Sequence, residues 1–238
     1  MSQKSFSQIA KEGGIEAVNN FISTATKKEL SQALTDVPLL KTNSGIYAVL
    51  LVDAGADVHY QDNSALKWAS SLRNVSVVNI LLEAGADTEL KDKRFFENTP
   101  FWESVRNYYP EIVEPFLKKG RVSQNEKNYA LNRTIDGLRN TKFEDRAIEI
   151  VKLLLKYGAD VHYGGDVPLY TAVEINFPEM VKLLIQNGAD VNGDGFIGAN
   201  FLEEALSKDF YDVADLLLEG GANIDNLPPN LRKLIILN

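Results

Sequence analysis

The chain has 238 residues, with 25 basic and 33 acidic side chains, 45% hydrophobic residues, two histidines and no cysteine. This composition is typical of a soluble folded protein, and it excludes disulfides, thiolate nucleophiles and cysteine metal sites. A formal net charge of −8 argues against broad binding to nucleic acid or to anionic lipid. Since the N-terminal segment lacks the apolar stretch of a signal peptide, we expect a cytoplasmic protein, or one in the host cytosol if its source is an intracellular parasite or a virus.

A glycine recurs at the end of one apolar helical pattern after another. In one such pattern Val77, Val78, Leu81 and Leu82 lie three to four residues apart, which predicts an apolar stripe on a helix. A glycine directly after the stripe is the expected C-cap, because it adopts the left-handed conformation without Cβ strain. Each pattern closes with Gly-Ala-Asp or a variant of it, at Gly55, Gly85, Gly120, Gly158, Gly188 and Gly221.

A second motif opens each repeat. Thr99 to Ser104 reads TPFWES and Val167 to Ala172 reads VPLYTA, and each motif begins 21 residues before its own glycine. Together with the 30 to 38 residues between glycines, these motifs resemble the TPLHxA opening and the GAD ending of ankyrin repeats. The resemblance implies an all-α solenoid of about seven helix-turn-helix repeats with short hairpin loops and terminal caps. The segment Asp62 to Ser70 also resembles variant repeats in ankyrin proteins of large amoebal viruses.

We expect these repeats to form one ankyrin domain over residues 1–238. The first repeat carries the polar side chains of a solvent-facing cap. The second has an extended loop around Pro38 to Asn43, and the short connections from Gly55 to Ser64 and from Gly158 to Val167 predict stunted hairpins. The predicted repeats are approximately 5–24, 26–57, 62–91, 97–122, 126–160, 166–190 and 198–223, with a capping helix at 227–238.

The 190–201 loop resembles a calcium-binding loop. Residues 190–197 read DVNGDGFI, the first eight positions of an EF-hand, in which Asp190, Asn192 and Asp194 would supply oxygen ligands. The glutamate required at position twelve is Phe201, and Asp190 already ends a GAD motif. We therefore expect an ordinary hairpin, with a calcium-modulated binding module as the alternative.

Two histidines occupy the same position in two identical GADVHY strings. His59 and His162 are 103 residues apart, and equivalent loops at that separation in a solenoid cannot share one substrate. Asn192 holds the same loop position, in a context that resembles ankyrin asparagines hydroxylated by an oxygen-sensing dioxygenase. Whether Asn192, His59 or His162 is hydroxylated is left open by the resemblance.

No convergent set of catalytic side chains can be named from the sequence. Ser64 and Ser104 occupy helix-opening and small-residue positions, and Glu83, Glu114 and Glu149 fall on polar helix faces. We therefore expect a protein that is not an enzyme and that uses no cofactor. The alternative is a host-directed effector with an unrecognised activity.

Aromatic residues are concentrated between Phe95 and Phe116. Ankyrin arrays line their concave groove with residues at the ends of the first helix of each repeat, where Trp102, Tyr108 and Tyr109 fall. Aromatic and arginine side chains are enriched in interface hot spots. The predicted partner-binding residues are Trp68, Leu72, Arg73, Trp102, Glu103, Arg106, Tyr108 and Tyr109. The alternative is that these aromatic side chains pack between repeats.

The ankyrin resemblance implies a function as a non-catalytic scaffold. Such a protein binds a partner protein through its concave groove and hairpin tips. We expect it to be monomeric and to bind neither nucleic acid nor a membrane.

Overall fold

The structure is a computed structural model that describes residues 4–87, 99–140, 142–193 and 200–236. Over these ranges the chain forms fourteen α-helices and no β-strand, which confirms the predicted all-α class. The chain divides into two compact units, residues 1–122 and 123–238, which we call the N-terminal half and the C-terminal half. The single continuous domain expected from the sequence stays a prediction.

The N-terminal half is built of two layers of helices. Helices α2, α4 and α6 pack side by side as the first helices of successive repeats, and α3, α5 and α7 pack as the second helices. A 3-10 helix at Val37–Leu39 follows α2 and packs on α4. The helices are α1 Phe6–Thr24, α2 Lys27–Asp36, α3 Ser44–Asp53, α4 Tyr60–Ser71, α5 Val75–Glu83, α6 Pro100–Arg106 and α7 Pro110–Lys118.

The C-terminal half repeats this arrangement. Its first helices α8, α10 and α12 pack in a row, and the second helices α11 and α13 pack on each other. Helix α14 follows the last repeat and contacts α12, as a capping helix does. The helices are α8 Gln124–Asp136, α9 Glu144–Lys156, α10 Tyr163–Glu174, α11 Pro178–Gln186, α12 Phe201–Ser207, α13 Tyr211–Glu219 and α14 Pro229–Ile236, with a 3-10 helix at Gly137–Asn140.

Short polar side chains start several of these helices. Ser5, Thr26 and Ser123 each accept a hydrogen bond from the backbone N–H three residues on, where a glutamine or glutamate bonds back to the cap. This capping box satisfies two backbone donors that a helix start leaves unpaired, and an N-cap contributes about 1 kcal/mol. The sequence thus fixes where α1, α2 and α8 begin.

The recurring glycines end the second helices, as predicted. All six have a left-handed backbone with φ between 68° and 94°. In one of these caps the N–H of Gly85 donates to the Leu82 carbonyl and the N–H of Ala86 donates to the Leu81 carbonyl. Any residue with a Cβ would be strained at this angle, which explains why glycine recurs there.

The core lies between the two layers of each half. On α5 the predicted stripe of Val77, Val78, Leu81 and Leu82 is almost fully buried, with at most 2% of any side chain exposed. Burying one such side chain contributes about 1.5–3 kcal/mol. Since a single repeat has only one neighbour on each side, this stabilisation depends on stacking.

The short connections after Gly55 and Gly158 take the form of left-handed turns. Three consecutive residues at the start of each helix have positive φ, residues 61–63 in α4 and residues 164–166 in α10, and α-helical geometry begins after them. The last side chain of each turn accepts a hydrogen bond from the motif that closes the same repeat: Asn63 Oδ1 from the N–H of Asp87, and Asp166 Oδ1 from the N–H of Asp190. The turns therefore position a polar acceptor for the GAD motif that follows.

This hydrogen bond recurs along the chain, and we call it the GAD hydrogen bond. The donor is always the backbone N–H two residues after a repeat glycine, and the acceptor is a short side chain 24 to 32 residues earlier in the chain. The further pairs are Asp57 with Ser31 at 2.8 Å, Asp160 with Asn128 at 2.8 Å and Asn223 with Asn192 at 2.7 Å. A backbone donor that is paired in this way avoids the cost of about 1–3 kcal/mol of an unsatisfied group.

Candidate partner-binding surface

Two large apolar side chains project from α4 away from the core. The helix buries Ala65, Leu66 and Ala69 between its neighbours, whereas Trp68 and the C-cap residue Leu72 are exposed beside this stripe. Trp68 is 49% exposed and Leu72 is 47% exposed. Because the two residues are four positions apart, they lie on one helix face. The structure thus places both predicted residues at the surface.

Leu39 is a further exposed apolar residue of this half, and no sequence motif predicted it. It ends the 3-10 helix that packs on α4, and it is 52% exposed. The signal was present in the apolar run Val37 to Leu40, which is longer than a connecting loop needs. We call Leu39, Trp68 and Leu72 the apolar surface.

Arg73 connects two repeats beside the apolar surface. Arg73 follows the C-cap of α4 and has a left-handed φ of 59°. Its guanidinium carbon lies 5.4 Å from the centre of the Tyr109 ring. The Nε of Arg73 also pairs with the carboxylate of Glu111 at the start of α7. These contacts hold a partly exposed arginine and tyrosine in fixed positions.

Glu103 and Arg106 form an ion pair on α6. The Arg106 guanidinium lies 2.8 Å from the Glu103 carboxylate, and 62% of the arginine side chain remains exposed. An exposed pair of this kind contributes little to stability. Arg106 therefore places an ion-paired but largely exposed guanidinium at the end of α6, which packs on α4.

Trp102 and Tyr108 are buried, and the expectation that they are exposed in a groove is wrong. Only 8% of Trp102 and 5% of Tyr108 is exposed. The reason is that α6 is short and enclosed by α4 and α7, so that five of its seven residues are buried. Both aromatic side chains belong to the packing between repeats, the alternative that the sequence left open.

Asp36 lies at the end of α2, next to the 3-10 helix. Its carboxylate forms no hydrogen bond to cap that helix, and burial raises its pKa above the ordinary value for aspartate. Burial disfavours the charged form of a carboxyl group, which is the physical cause of the shift. An acid in this state destabilises the folded protein at neutral pH.

The second-helix layer has an apolar groove of its own. Ile46 and Val49 of α3 are 48% and 42% exposed, and a shallow cavity of about 440 Å³ lies between them and Ile80 of α5. At the floor of the groove, α3 and α5 lie so close together that a Cβ added to Gly45 would be 2.4 Å from the Ser76 hydroxyl. The groove contains no aromatic and no charged side chain.

The two predicted calcium ligands that the structure describes are used inside the fold. Asp190 Oδ1 accepts the N–H of Asn192, and the Asn192 side chain bonds to Asn223 and to the Gly221 carbonyl. Asp194 lies outside the described residues. Over the described ranges no group of three acidic, histidine or cysteine residues is placed to hold a metal ion. These contacts favour a structural role for the 190–193 segment.

The two histidines occupy equivalent environments. His59 Nδ1 lies 3.3 Å from Asn63 Oδ1, and His162 Nδ1 lies 3.0 Å from Asp166 Oδ1. Each ring therefore contacts the residue that accepts a GAD hydrogen bond. Hydroxylation of these histidines or of Asn192 stays a prediction.

Charge is distributed unevenly between the two halves. Residues 1–122 carry 14 basic and 15 acidic side chains, whereas residues 123–238 carry 11 and 18. The first-helix layer of the C-terminal half pairs many of its charges, including Arg139 with Glu174 and Lys208 with Glu204. None of the described helices is long and apolar enough to cross a membrane.

Residues 141–227 match the family description "Ankyrin repeats (3 copies)", and residues 61–93 match "Ankyrin repeat", together about half of the chain. The ankyrin repeat domain of Bcl-3, described as a unique member of the IkappaB protein family, is 25% identical with a TM-score of 0.62 over 84% of this chain and 88% of its own. The human ASB11 ankyrin repeat domain is 20% identical with a TM-score of 0.56 over 84% and 87%. No curated protein matches the sequence. The family matches and the structural matches agree with the motifs and the helix pairs described above. The chain belongs to the ankyrin repeat family.

Proposed function

We propose that the chain is a non-catalytic, monomeric binding module that holds a partner protein against its apolar surface. Ankyrin repeat domains are generally protein-interaction modules. The observation that carries the proposal is the exposure of Trp68 and Leu72 on a helix whose other side is already buried in the core. Because about half of each side chain stays exposed after the repeats have packed, this surface is available to a partner.

The composition of the surface supports this proposal. Tryptophan and arginine are enriched among the residues that dominate binding energy, and an interface has an apolar centre with a polar rim. Here Trp68 provides the aromatic centre, and Arg73 and Arg106 lie at the rim. The groove beside Ile46 has no comparable anchor.

The rigidity of α4 also favours binding. The helix packs on α2, α5 and α6, and Arg73 is fixed by Tyr109 and Glu111. A preorganised surface loses less conformational entropy on association. The partner therefore meets a tryptophan that is already held in position by its helix.

The structure offers less support for the alternatives. The side chains of Asp190 and Asn192 are engaged in the fold, which weakens the proposal of calcium modulation. An effector enzyme would need a convergent set of polar groups around a reacting atom. The polar clusters described above are ion pairs and GAD hydrogen bonds, which are structural in character.

Affinity capture with matched variants tests the proposal. The purified wild type, Trp68→Ala and Tyr211→Ala are immobilised and exposed to one cell lysate, and retained proteins are quantified by mass spectrometry. Tyr211 is the control because it is an exposed aromatic residue of the C-terminal half. We expect at least one protein to be retained by the wild type and by Tyr211→Ala and to be lost with Trp68→Ala.

Titration with the purified partner completes the test. Truncation of a central anchor weakens binding by about 2 kcal/mol or more. Equal binding by Trp68→Ala and the wild type would show that the partner uses another surface.

A further inference from the structure

Asp36 is a carboxylate without a counter-charge. Over the described part of the chain, its side chain takes part in no hydrogen bond and no ion pair, and desolvation is the single cause of its raised pKa. Nearby cations are committed elsewhere, since Arg73 pairs with Glu111 and Arg106 with Glu103. Asp36 thus differs from the other acids beside the apolar surface.

The topology places Asp36 at the edge of the apolar surface. Helices α2 and α4 are successive first helices that pack on each other and, as repeats of one unit, run in the same direction. Asp36 ends α2 just as Leu72 follows the end of α4. The 3-10 helix that begins directly after Asp36 packs on α4 and ends at Leu39.

The position of Asp36 is unfavourable in the free protein for two independent reasons. A half-buried carboxylate loses hydration that nothing replaces. In addition, a negative charge at the C-terminal end of a helix faces the negative end of the helix dipole. Neutral residues would avoid both costs, and a positive charge delivered from outside would offset both.

We propose that the partner segment bound at the apolar surface carries a large apolar side chain and, next to it, a lysine or arginine that pairs with Asp36. The inference rests on the proposed function, because it concerns the same surface. It specifies the chemistry of the partner: an apolar residue covers Leu39, Trp68 and Leu72, and a cation neutralises the uncompensated acid. The excess of acidic residues in the whole chain also favours the approach of a basic segment.

Selection of peptides tests this inference without a known partner. A library of random linear peptides displayed on phage is selected on the folded wild-type chain, and peptides that also bind Trp68→Ala are discarded. The remaining peptides are synthesised, and their affinities are measured for the wild type, Asp36→Asn and Asp53→Asn. Asp53 is the matched control, because it also ends a helix but lies exposed on the second-helix layer.

We expect the Trp68-dependent peptides to contain a lysine or arginine beside an aromatic or aliphatic residue. Their affinity should fall about tenfold or more with Asp36→Asn and stay unchanged with Asp53→Asn, as for a close charge pair at an interface. Replacing the peptide's basic residue by a neutral one should weaken binding to the wild type and have little further effect with Asp36→Asn. Such non-additivity identifies a direct pair.

Two results would overturn the inference, and they are distinguishable. If Trp68-dependent peptides lack basic residues or bind Asp36→Asn as tightly as the wild type, the assigned partner chemistry is wrong and the binding surface stands. If no Trp68-dependent peptide is recovered, the apolar surface itself is not a binding site, and the proposed function at that site fails as well. Circular dichroism confirms that each variant is folded.

Discussion

Asp166 Oδ1 accepts a hydrogen bond from the backbone N–H of Asp190 over 2.9 Å, and so joins the turn that opens one repeat to the motif that closes the same repeat's second helix. The same oxygen lies 3.0 Å from His162. Since Asp166 is only 5% exposed, water replaces these contacts poorly. Removal of this side chain should therefore be costly.

Asp166→Ala should lower the free energy of unfolding of the chain by about 1–3 kcal/mol, because it leaves a backbone donor unsatisfied. Urea unfolding followed by circular dichroism measures the change. Asp166→Asn is the control, since Asn63 fills the same role in the equivalent turn. A loss as large for Asn as for Ala would show that the charge, and not the acceptor oxygen, is what matters.

The buried Trp102 and the half-exposed Trp68 should differ in their effect on the stability of the fold. Trp102→Ala should destabilise the fold by about 3–5 kcal/mol, as deletion of a buried aromatic side chain does. Trp68→Ala should cost about 0.5 kcal/mol, because a side chain that is half exposed and off the core stripe contributes little. Thermal unfolding of both variants decides the matter, and equal losses would contradict the packing described for α6.

Glycine should be favourable in the left-handed turn at the start of α4. Gln61 and Asp62 have φ of 50° and 54°, whereas the equivalent turn carries Gly164 and Gly165. A non-glycine residue with a left-handed backbone costs about 1–2 kcal/mol of stability. Replacement by glycine removes this cost, but part of the gain is lost because glycine raises the conformational entropy of the unfolded chain. The double variant Gln61→Gly, Asp62→Gly should thus raise the stability by about 1 kcal/mol, and Gly164→Gln, Gly165→Asp should lower it. Denaturant midpoints that move in the opposite directions would exclude strain as the explanation.

Asp36→Asn should stabilise the free protein at neutral pH. Since burial raises the pKa of Asp36 in the folded state, the folded protein binds this proton more tightly than the unfolded chain does. Its carboxyl group therefore favours folding at low pH, and the contribution is lost as the pH rises from the unfolded to the folded pKa. The stability difference between Asp36→Asn and the wild type should grow over that window and then stay constant. Unfolding measured as a function of pH tests this, and a difference that does not depend on pH would contradict it.

The sequence predicted those parts of the fold that are encoded locally. The glycine caps and the stripe on α5 follow from spacing along one helix, and the structure confirms them. The GAD hydrogen bonds were missed because their donor and acceptor are 24 to 32 residues apart, for example Asn63 and Asp87. A motif shows that a residue is polar but not which distant backbone group it reaches.

The binding surface was predicted only in part for the same reason. Trp68 and Trp102 both occur in a helix-opening motif, at neighbouring positions of it. Lys67, the counterpart of Trp102 in the preceding repeat, is polar, so the pattern gave no sign of a buried position there. Burial of Trp102 depends on how α6 is enclosed by α4 and α7, which is a property of the assembled stack.

The GAD hydrogen bonds have a consequence for how such a protein can change in evolution. Every donor is a main-chain group, so aspartate and asparagine both serve at the third motif position, as Asn223 in place of aspartate shows. The acceptors are serine, asparagine or aspartate, and all of them need only one short side-chain oxygen. Each copy can therefore join its opening to its closing motif through this contact, and copies of unequal length keep it, with donor and acceptor 24 to 32 residues apart.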